Sequence, residues 1–487
     1  MSIKNDINKI LLKKFPHLEI SVVKYSEVQT DNESKRIDSE YFKQEYLENE
    51  RIIKSRDYTK LLNVCYFIRN GDDCRDYEEN GIKYIRTGDI KEYGLDLNNC
   101  ATIRNDFISE IKLSIGDLLI TRKGNYGKSQ VINKKEILKS IISSEIFLIK
   151  LKNINPYYAD TFLKSKFGQS QFERNIHGVS NFSVTQEALL NFLIPIFPKE
   201  FQLEIETMVK DSHKALENSK KLYKEAEKIL YEALGLDAEN PLESILSFRE
   251  KNKVIHNHLK RYKRLNISIR TYKESYLKTG RLDAEYYQEK FRKNEILIKN
   301  FAHAKLSDLV NIQKSIEPGS EAYQDDGIEF IRVANLGKFE LSKSYIYLDK
   351  IKFINELEKL YPQKDMILLT KDGSIGIAYC VPENLNCITS AAILHLKIKD
   401  KNIIIPQVLT LIINSIIGQL QAQRDSGGAI ISHWTISEIE NILIPLLDLK
   451  TQRKIEAKVK QSFELRDKSK ELLENAKVKI ENAIIDS

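Results

Sequence analysis

Residues 36–46 read RIDSEYFKQEY and residues 281–291 read RLDAEYYQEKF. Aligned without a gap, they share Arg36/Arg281, Asp38/Asp283, Glu40/Glu285 and Tyr41/Tyr286. A solvent-facing helix has no reason to repeat such pairs, so the match points to an internal repeat. A repeat demands further matches in the same order.

They are present on both sides. ISVVKYSEV (20–28) answers ISIRTYKES (267–275), and GIKYIRTGDI (81–90) answers GIEFIRVANL (327–336), pairing Arg86 with Arg332 after a short apolar run. GDLLITRKGNYGK (116–128) answers KDMILLTKDGSIGI (364–377), with Thr121/Thr370, Gly124/Gly373 and Gly127/Gly376 aligned. NPYYADTFLKSKFGQ (155–169) then answers IPQVLTLIINSIIGQ (405–419), and SVTQEALLNFLIPIFPKEFQ (183–202) answers HWTISEIENILIPLLDLKTQ (433–452). The units run from about 20 to 250 and from about 267 to 487.

A chain of 487 residues is too long for one ordinary core, and two halves fit that length. Each half ends in a long charged segment with an apolar stripe. The first, 199–234, carries Ile205, Val209, Leu216, Leu222, Ala226, Ile229, Leu230 and Ala233; the second, 451–484, carries Ile455, Val459, Leu472, Leu473, Ala476, Ile480 and Ala483. Steps of three and four predict helices seeking a partner. Packing each stripe on its own half is one solution. Antiparallel pairing of the two is the favoured one, because it buries both stripes and places the halves at opposite ends. The neutral stretch Ile403 to Ala422 is interrupted by Pro406, Gln407, Asn414, Gln419 and Gln421 and reads as a buried helix.

Lys and Arg exceed Asp and Glu by 76 to 69, which permits a polyanionic partner without demanding one. The N-terminal stretch MSIKNDINKILLKKF mixes charges into its apolar residues, unlike a secretory signal, so a cytoplasmic protein is expected. Five cysteines without a C-x-x-C pair suit free thiols rather than disulfides or zinc.

Catalytic signatures are missing. Asn155-Pro156-Tyr157-Tyr158 lacks the second proline of an N-P-P-Y loop, and no G-x-x-x-x-G-K-[ST] phosphate loop occurs. Glu456-Ala457-Lys458 reads as solvated helix surface, and His256-Asn257-His258 lacks further ligands at zinc spacing.

The paired G-x-x-G turns carry more. Gly124 and Gly127, and Gly373 and Gly376, fit tight turns in which glycine supplies positive φ. Around that frame the residues differ: Arg122, Lys123, Asn125 and Tyr126 in one half, Lys371, Asp372 and Ser374 in the other. A fixed frame with varied tips is what two readers of different base sequences need, since base edges are read by side-chain donors and acceptors. HGVSNFSV (177–184) and GGAIISHW (427–434) are a second candidate tip, offering Asn181, Ser183 and His433; Trp434 reads as a core anchor.

Over nearly its whole length the chain resembles the specificity subunit of a Type I restriction-modification system. An R-[IL]-D-x-E-Y-[FY] segment, a strand with G-x-x-G and a long helix follow one another in that order, twice. The resemblance implies two mixed α/β (α+β) target-recognition domains, each with a curved sheet, separated by a pair of long antiparallel helices in a pseudo-twofold repeat. Domain 1 is expected within 1–195, the central helix and linker within 196–266, domain 2 within 267–445 and the C-terminal helix within 446–487. It also implies a non-catalytic subunit that reads one half of a split double-stranded DNA target with each domain and docks modification (methyltransferase) subunits through the helices. Those subunits bring S-adenosylmethionine; restriction subunits, where present, bring ATP with Mg. A nuclease-free methyltransferase, a related phage-defence system and a coiled-coil protein adaptor are the other readings. The family's base-contacting residues vary, so the candidates Arg86, Arg122, Lys123, Asn125, Tyr126, Asn181, Ser183, Arg332, Lys371, Asp372, Ser374 and His433 rest on the residues alone.

Overall fold

The computed structural model describes residues 2–30, 35–91, 94–97, 99–178, 182–248, 269–353, 359–426 and 433–486. His256, Asn257 and His258 lie outside them. The chain divides into two compact units, Met1–Glu217 with Arg466–Ser487, and Asn218–Leu465.

Unit 1 is built on an antiparallel sheet in the order Cys65–Asn70, Ile146–Leu151, Leu118–Thr121, Ser129–Val131. Side chains alternate across a strand. Leu118 and Ile120 therefore enter one core with Phe147 and Ile149, while Leu119 enters another with Ile146 and Leu148. The first core is roofed by helices Pro156–Lys164 and Lys166–Arg174 through Tyr158, Phe162, Phe167 and Phe172. A smaller sheet, Ala101–Ile103, Tyr77–Ile85 and Ile141–Ile142, includes one parallel pairing.

Unit 2 repeats the antiparallel sheet strand for strand, and its smaller sheet has four strands in place of three. Its antiparallel sheet runs Val310–Lys314, Ile393–Ile398, Ile367–Thr370, Ala378–Cys380, beside a mixed sheet in which Ile328–Ile331 runs parallel to Cys387–Thr389. The mixed α/β expectation holds in both units.

Asn155 caps its helix: its Oδ1 accepts from the amides of Tyr157 (2.9 Å) and Tyr158 (3.3 Å), with Pro156 in the first turn. The N-P-Y-Y stretch is thus a helix start. The neutral stretch 403–422 differs from the single helix expected. It holds two helices, Pro406–Asn414 and Ile416–Asp425, broken at Ser415, whose hydroxyl turns back to the Ile412 carbonyl. Among the described residues no helix is long and apolar enough to cross a membrane. All five cysteines are free.

The long helices are Lys199–Ala233 and Leu449–Asp486. In unit 1, Lys479 meets Glu204 at 2.6 Å and Ser212 meets Ser469, with Oγ atoms 2.9 Å apart. In unit 2, Lys458 meets Glu225 at 2.7 Å and Ser219 meets Ser462 at 3.0 Å. Rising numbers on one helix meet falling numbers on the other, so the pairing is antiparallel. Packing of each stripe on its own half holds only for the N-terminal part of each helix, Ile205 and Val209 in the unit 1 core and Ile455 and Val459 in that of unit 2. Leu473, Ala476, Ile480 and Ile484 of the second helix join the unit 1 core, and Ala226 and Leu230 of the first join that of unit 2. The predicted stripes are corrected in detail. Ser212, Ser219, Ser462 and Ser469 are buried in the seam, whereas Leu216, Leu222, Ile229, Leu472 and Ala483 are half-buried and Ala233 is exposed. Serine satisfies its own hydroxyl across the seam and so fits where a larger side chain would hold the helices apart.

His395 sits in the sheet core of unit 2 at the place that Leu148 takes in unit 1. Its Nε2 lies 2.8 Å from Thr389 Oγ1, and burial lowers its pKa from 6.5 to about 4. The unfolded histidine takes up its proton first as the pH falls. Stability is therefore complete above pH ~6.5 and drains away toward pH 4, by roughly 3 kcal/mol for this group. His395→Leu is expected to flatten that acid limb, read from urea midpoints between pH 4 and 7.

Candidate nucleic-acid interface

Both G-x-x-G segments are hairpin turns closing two core strands. Gly124 and Gly127 have φ of +67° and +75°, and Gly373 and Gly376 have +70° and +76°. The second glycine of each is also needed for space: a Cβ would stand 3.1 Å from the Phe172 ring at Gly127, and 3.1 Å from Ala422 Cβ at Gly376.

Two side chains lock each turn by its main chain. Thr121 Oγ1 donates to the Asn125 carbonyl (2.6 Å) and accepts from the Lys128 amide (2.9 Å). Thr370 repeats both bonds, to Ser374 (2.5 Å) and from Ile377 (3.0 Å). From the neighbouring helix Gln169 Nε2 donates to the Gly127 carbonyl (3.1 Å), and Gln419 Nε2 to that of Gly376 (2.7 Å). These glutamines were missed in the sequence, although the repeated G-Q pair was the signal.

In unit 1 the structure gathers most candidates at one place. Lys123 and Ser183 form an antiparallel bridge, the Gly124 amide donates to the Phe182 carbonyl (3.0 Å), and Tyr126 meets Phe182 edge-to-face at 6.2 Å. Lys123 and Asn125 are exposed, with Lys123 3.6 Å from Glu145. Arg122 is half-buried, its guanidinium 5.5 Å from the Phe147 ring, and its buried Nε has no hydrogen-bond partner among the described residues. Tyr126 is partly buried, which raises its phenol pKa. Asn181 lies outside the described residues.

Unit 2 has the same backbone frame with different chemistry. Lys371 is mostly buried and pairs with Asp372, whose other oxygen meets His433 Nδ1 at 2.9 Å; Asp372 and His433 also form the bridge equivalent to Lys123 and Ser183. Burial pushes the Asp372 pKa up, but Lys371 and His433 outweigh it and hold the carboxyl below its ordinary value. Ser374 and His433 are the exposed groups, and Trp434 is buried in the core.

Arg86 and Arg332 lie apart from the turns, each exposed at a strand end with φ −107° and ψ 169°. One short link joins the two places. The Ser143 amide donates to the Ile85 carbonyl and the Arg122 amide to that of Glu145, while in unit 2 Ser390 bonds Ile331 and Lys371 bonds Ala392. Glu456 and Lys458 pair with Lys460 and Glu225 on the helix surface. Among the described residues no cluster of His, Cys, Asp and Glu suits a metal ion.

Residues 298–478 match the family model "Type I restriction modification DNA specificity domain". The chain is 25% identical over 215 residues to the Type I restriction enzyme EcoBI specificity subunit of Escherichia coli, covering 42% of this chain and 45% of that one. It is 23% identical over 450 residues to the putative Type I restriction enzyme MjaX specificity subunit of Methanocaldococcus jannaschii, covering 88% and 92%. A crystal structure of the S subunit of a Type I restriction-modification system from M. genitalium aligns over 88% of this chain and 94% of that one, at 14% identity and a TM-score of 0.40.

Proposed function

We infer that this member of the Type I restriction-modification specificity-subunit family reads a bipartite double-stranded DNA target, one half-site with each unit, within a complex whose modification subunits carry out the methylation. The observation that carries this reading is the turn frame itself. Thr121, Gln169 and two glycines recur as Thr370, Gln419 and two glycines, yet the residues on the frame change from Arg-Lys-Asn-Tyr to Lys-Asp-Ser-Ile. Readers of unlike half-sites need such a combination. The chain serves as the non-catalytic reader, the methyl donor S-adenosylmethionine entering with the modification subunits. A restriction subunit, where one joins, brings ATP and Mg.

The test is binding by the complex assembled with its modification subunits. A duplex bearing both half-sites is expected to be retained over one with either half scrambled, and sequence-independent retention would defeat the reading. Arg122→Ala and Lys371→Ala each remove a cation beside a turn. Each is expected to weaken binding by roughly 1–3 kcal/mol if a base contact is lost. Unchanged binding by a folded variant assigns that residue to the turn's own packing.

A further inference from the structure

The repeated motif at 36–46 and 281–291 lies in neither turn, yet it is tied to one end of each candidate interface. Arg36 Nε and Nη2 donate to the two carboxylate oxygens of Asp38 at 2.7 and 2.6 Å. Its Nη1 donates to the main-chain carbonyls of Arg174 (3.0 Å) and Ile176 (3.1 Å). Tyr41 is held between two cations, Arg36 at 5.2 Å and Arg174 at 4.2 Å, and the Arg174 Nε donates to the Tyr41 carbonyl (3.0 Å).

The two carbonyls that Arg36 grips stand where helix Lys166–Arg174 ends and the chain leaves toward Ser183. Immediately beyond, His177 and Ser183 exchange main-chain hydrogen bonds of 2.8 and 2.9 Å. Phe182 then accepts from Gly124, and the Val184 amide donates to the Arg122 carbonyl at 2.8 Å. A continuous run of hydrogen bonds therefore leads from Arg36 to the G-x-x-G turn.

Unit 2 repeats the ion pair and the stacked tyrosine, with one main-chain carbonyl in place of two. Arg281 donates to both oxygens of Asp283 at 2.7 and 3.0 Å and to the Asp425 carbonyl at 3.4 Å. Tyr286 again has two cations near its ring, Arg281 at 4.6 Å and Arg424 at 5.5 Å. The Trp434 amide donates to the Lys371 carbonyl at 2.8 Å, seating His433 beside Asp372.

We propose that Arg36 and Arg281 are positioning residues for base reading, Arg36 seating the segment that carries Ser183 against the turn of unit 1 and Arg281 holding the C-terminal end of helix Ile416–Asp425, which precedes His433 in unit 2. The proposal deepens the DNA-reading function and rests on it. Arginine is required because its planar fork satisfies a carboxylate with two N–H groups while a further N–H reaches the main chain; lysine is a point charge and lacks that geometry.

The experiment is methylome sequencing of cells carrying the full system with Arg36→Ala, Arg36→Lys or Arg281→Ala, alongside thermal melts of each purified chain. Arg36→Ala and Arg36→Lys are both expected to relax base identity in one half-site by about tenfold in discrimination, leaving the other half-site intact. Arg281→Ala is expected to relax the opposite half-site alone. Both half-sites intact, or both lost together, overturns the proposal, as does full rescue by lysine, which would make charge alone the requirement. The DNA-reading function has its own check in the same data: a wild-type chain that yields no bipartite methylated motif removes that function, whereas a bipartite motif unchanged in the arginine variants removes only the positioning role.

Discussion

Exchange of residues 46–195 for the matching segment of a related subunit is expected to replace one half of the methylated motif and leave the other half unaltered. All of the exchanged residues belong to unit 1, and with them go the whole turn frame of Thr121, Gly124, Gly127 and Gln169. The clamp at Arg36 stays behind, but it grips main-chain carbonyls, which an incoming segment of any sequence supplies. The surfaces that must match are Ile205, Val209, Leu473, Ala476, Ile480 and Ile484 of the long helices, which share a core with the exchanged sheet. Each mismatched base pair costs about 1–3 kcal/mol, so three mismatches in the old half-site cost about 3–9 kcal/mol and abolish its use. Methylome sequencing reads the outcome directly. A change in both half-sites would mean that the units do not read independently.

Gly168→Ala is expected to destabilise unit 1 by about 3 kcal/mol or more, and Gly418→Ala to do the same to unit 2. Both glycines have ordinary helical backbone, so the demand is for space alone. An added Cβ at Gly168 would stand 2.4 Å from the Phe162 carbonyl oxygen and 2.5 Å from Leu163 Cα; at Gly418 it would stand 2.3 Å from the Ile413 oxygen and 2.6 Å from Ile413 Cα. These are backbone atoms of the preceding helix and cannot rotate away, so the helix pair that roofs the sheet must separate. Gly124→Ala is the contrasting control. Its Cβ would meet open space, and only the positive φ is penalised, by about 1 kcal/mol. Urea midpoints rank the three variants, and a Gly168→Ala midpoint at or above that of Gly124→Ala would refute the packing account.

The repeat made most of the fold legible in the sequence. Core strands such as Leu118–Thr121 and Ile367–Thr370 announced themselves as apolar runs before a glycine turn, and the long helices by their three-four spacing. The serine seam was not legible that way. Ser212, Ser219, Ser462 and Ser469 look polar in a pattern search, and only a facing serine turns them into interior residues. The Ser415 break was hidden too, because a hydroxyl that closes one helix and admits the next leaves no gap in hydropathy. At the candidate interface, spacing located the turns and their glycines, but it could not say that Lys371 spends its charge on Asp372 or that Arg122 leans on Phe147. Those facts depend on neighbours brought together from distant parts of the chain.

The threonine and glutamine bonds that hold each turn in shape all end on main-chain atoms. Thr121 and Gln169 address carbonyls and an amide, not the side chains at 122, 123, 125 and 126. Each non-proline residue offers those same atoms. The frame is therefore a socket that survives a change of the side chains mounted on it, each set adding contacts of its own, as Arg122 does with Phe147 and Asp372 with Lys371 and His433. On the proposed DNA-reading role, selection for a new word can proceed there by single substitutions that leave the threonine and glutamine frame in place.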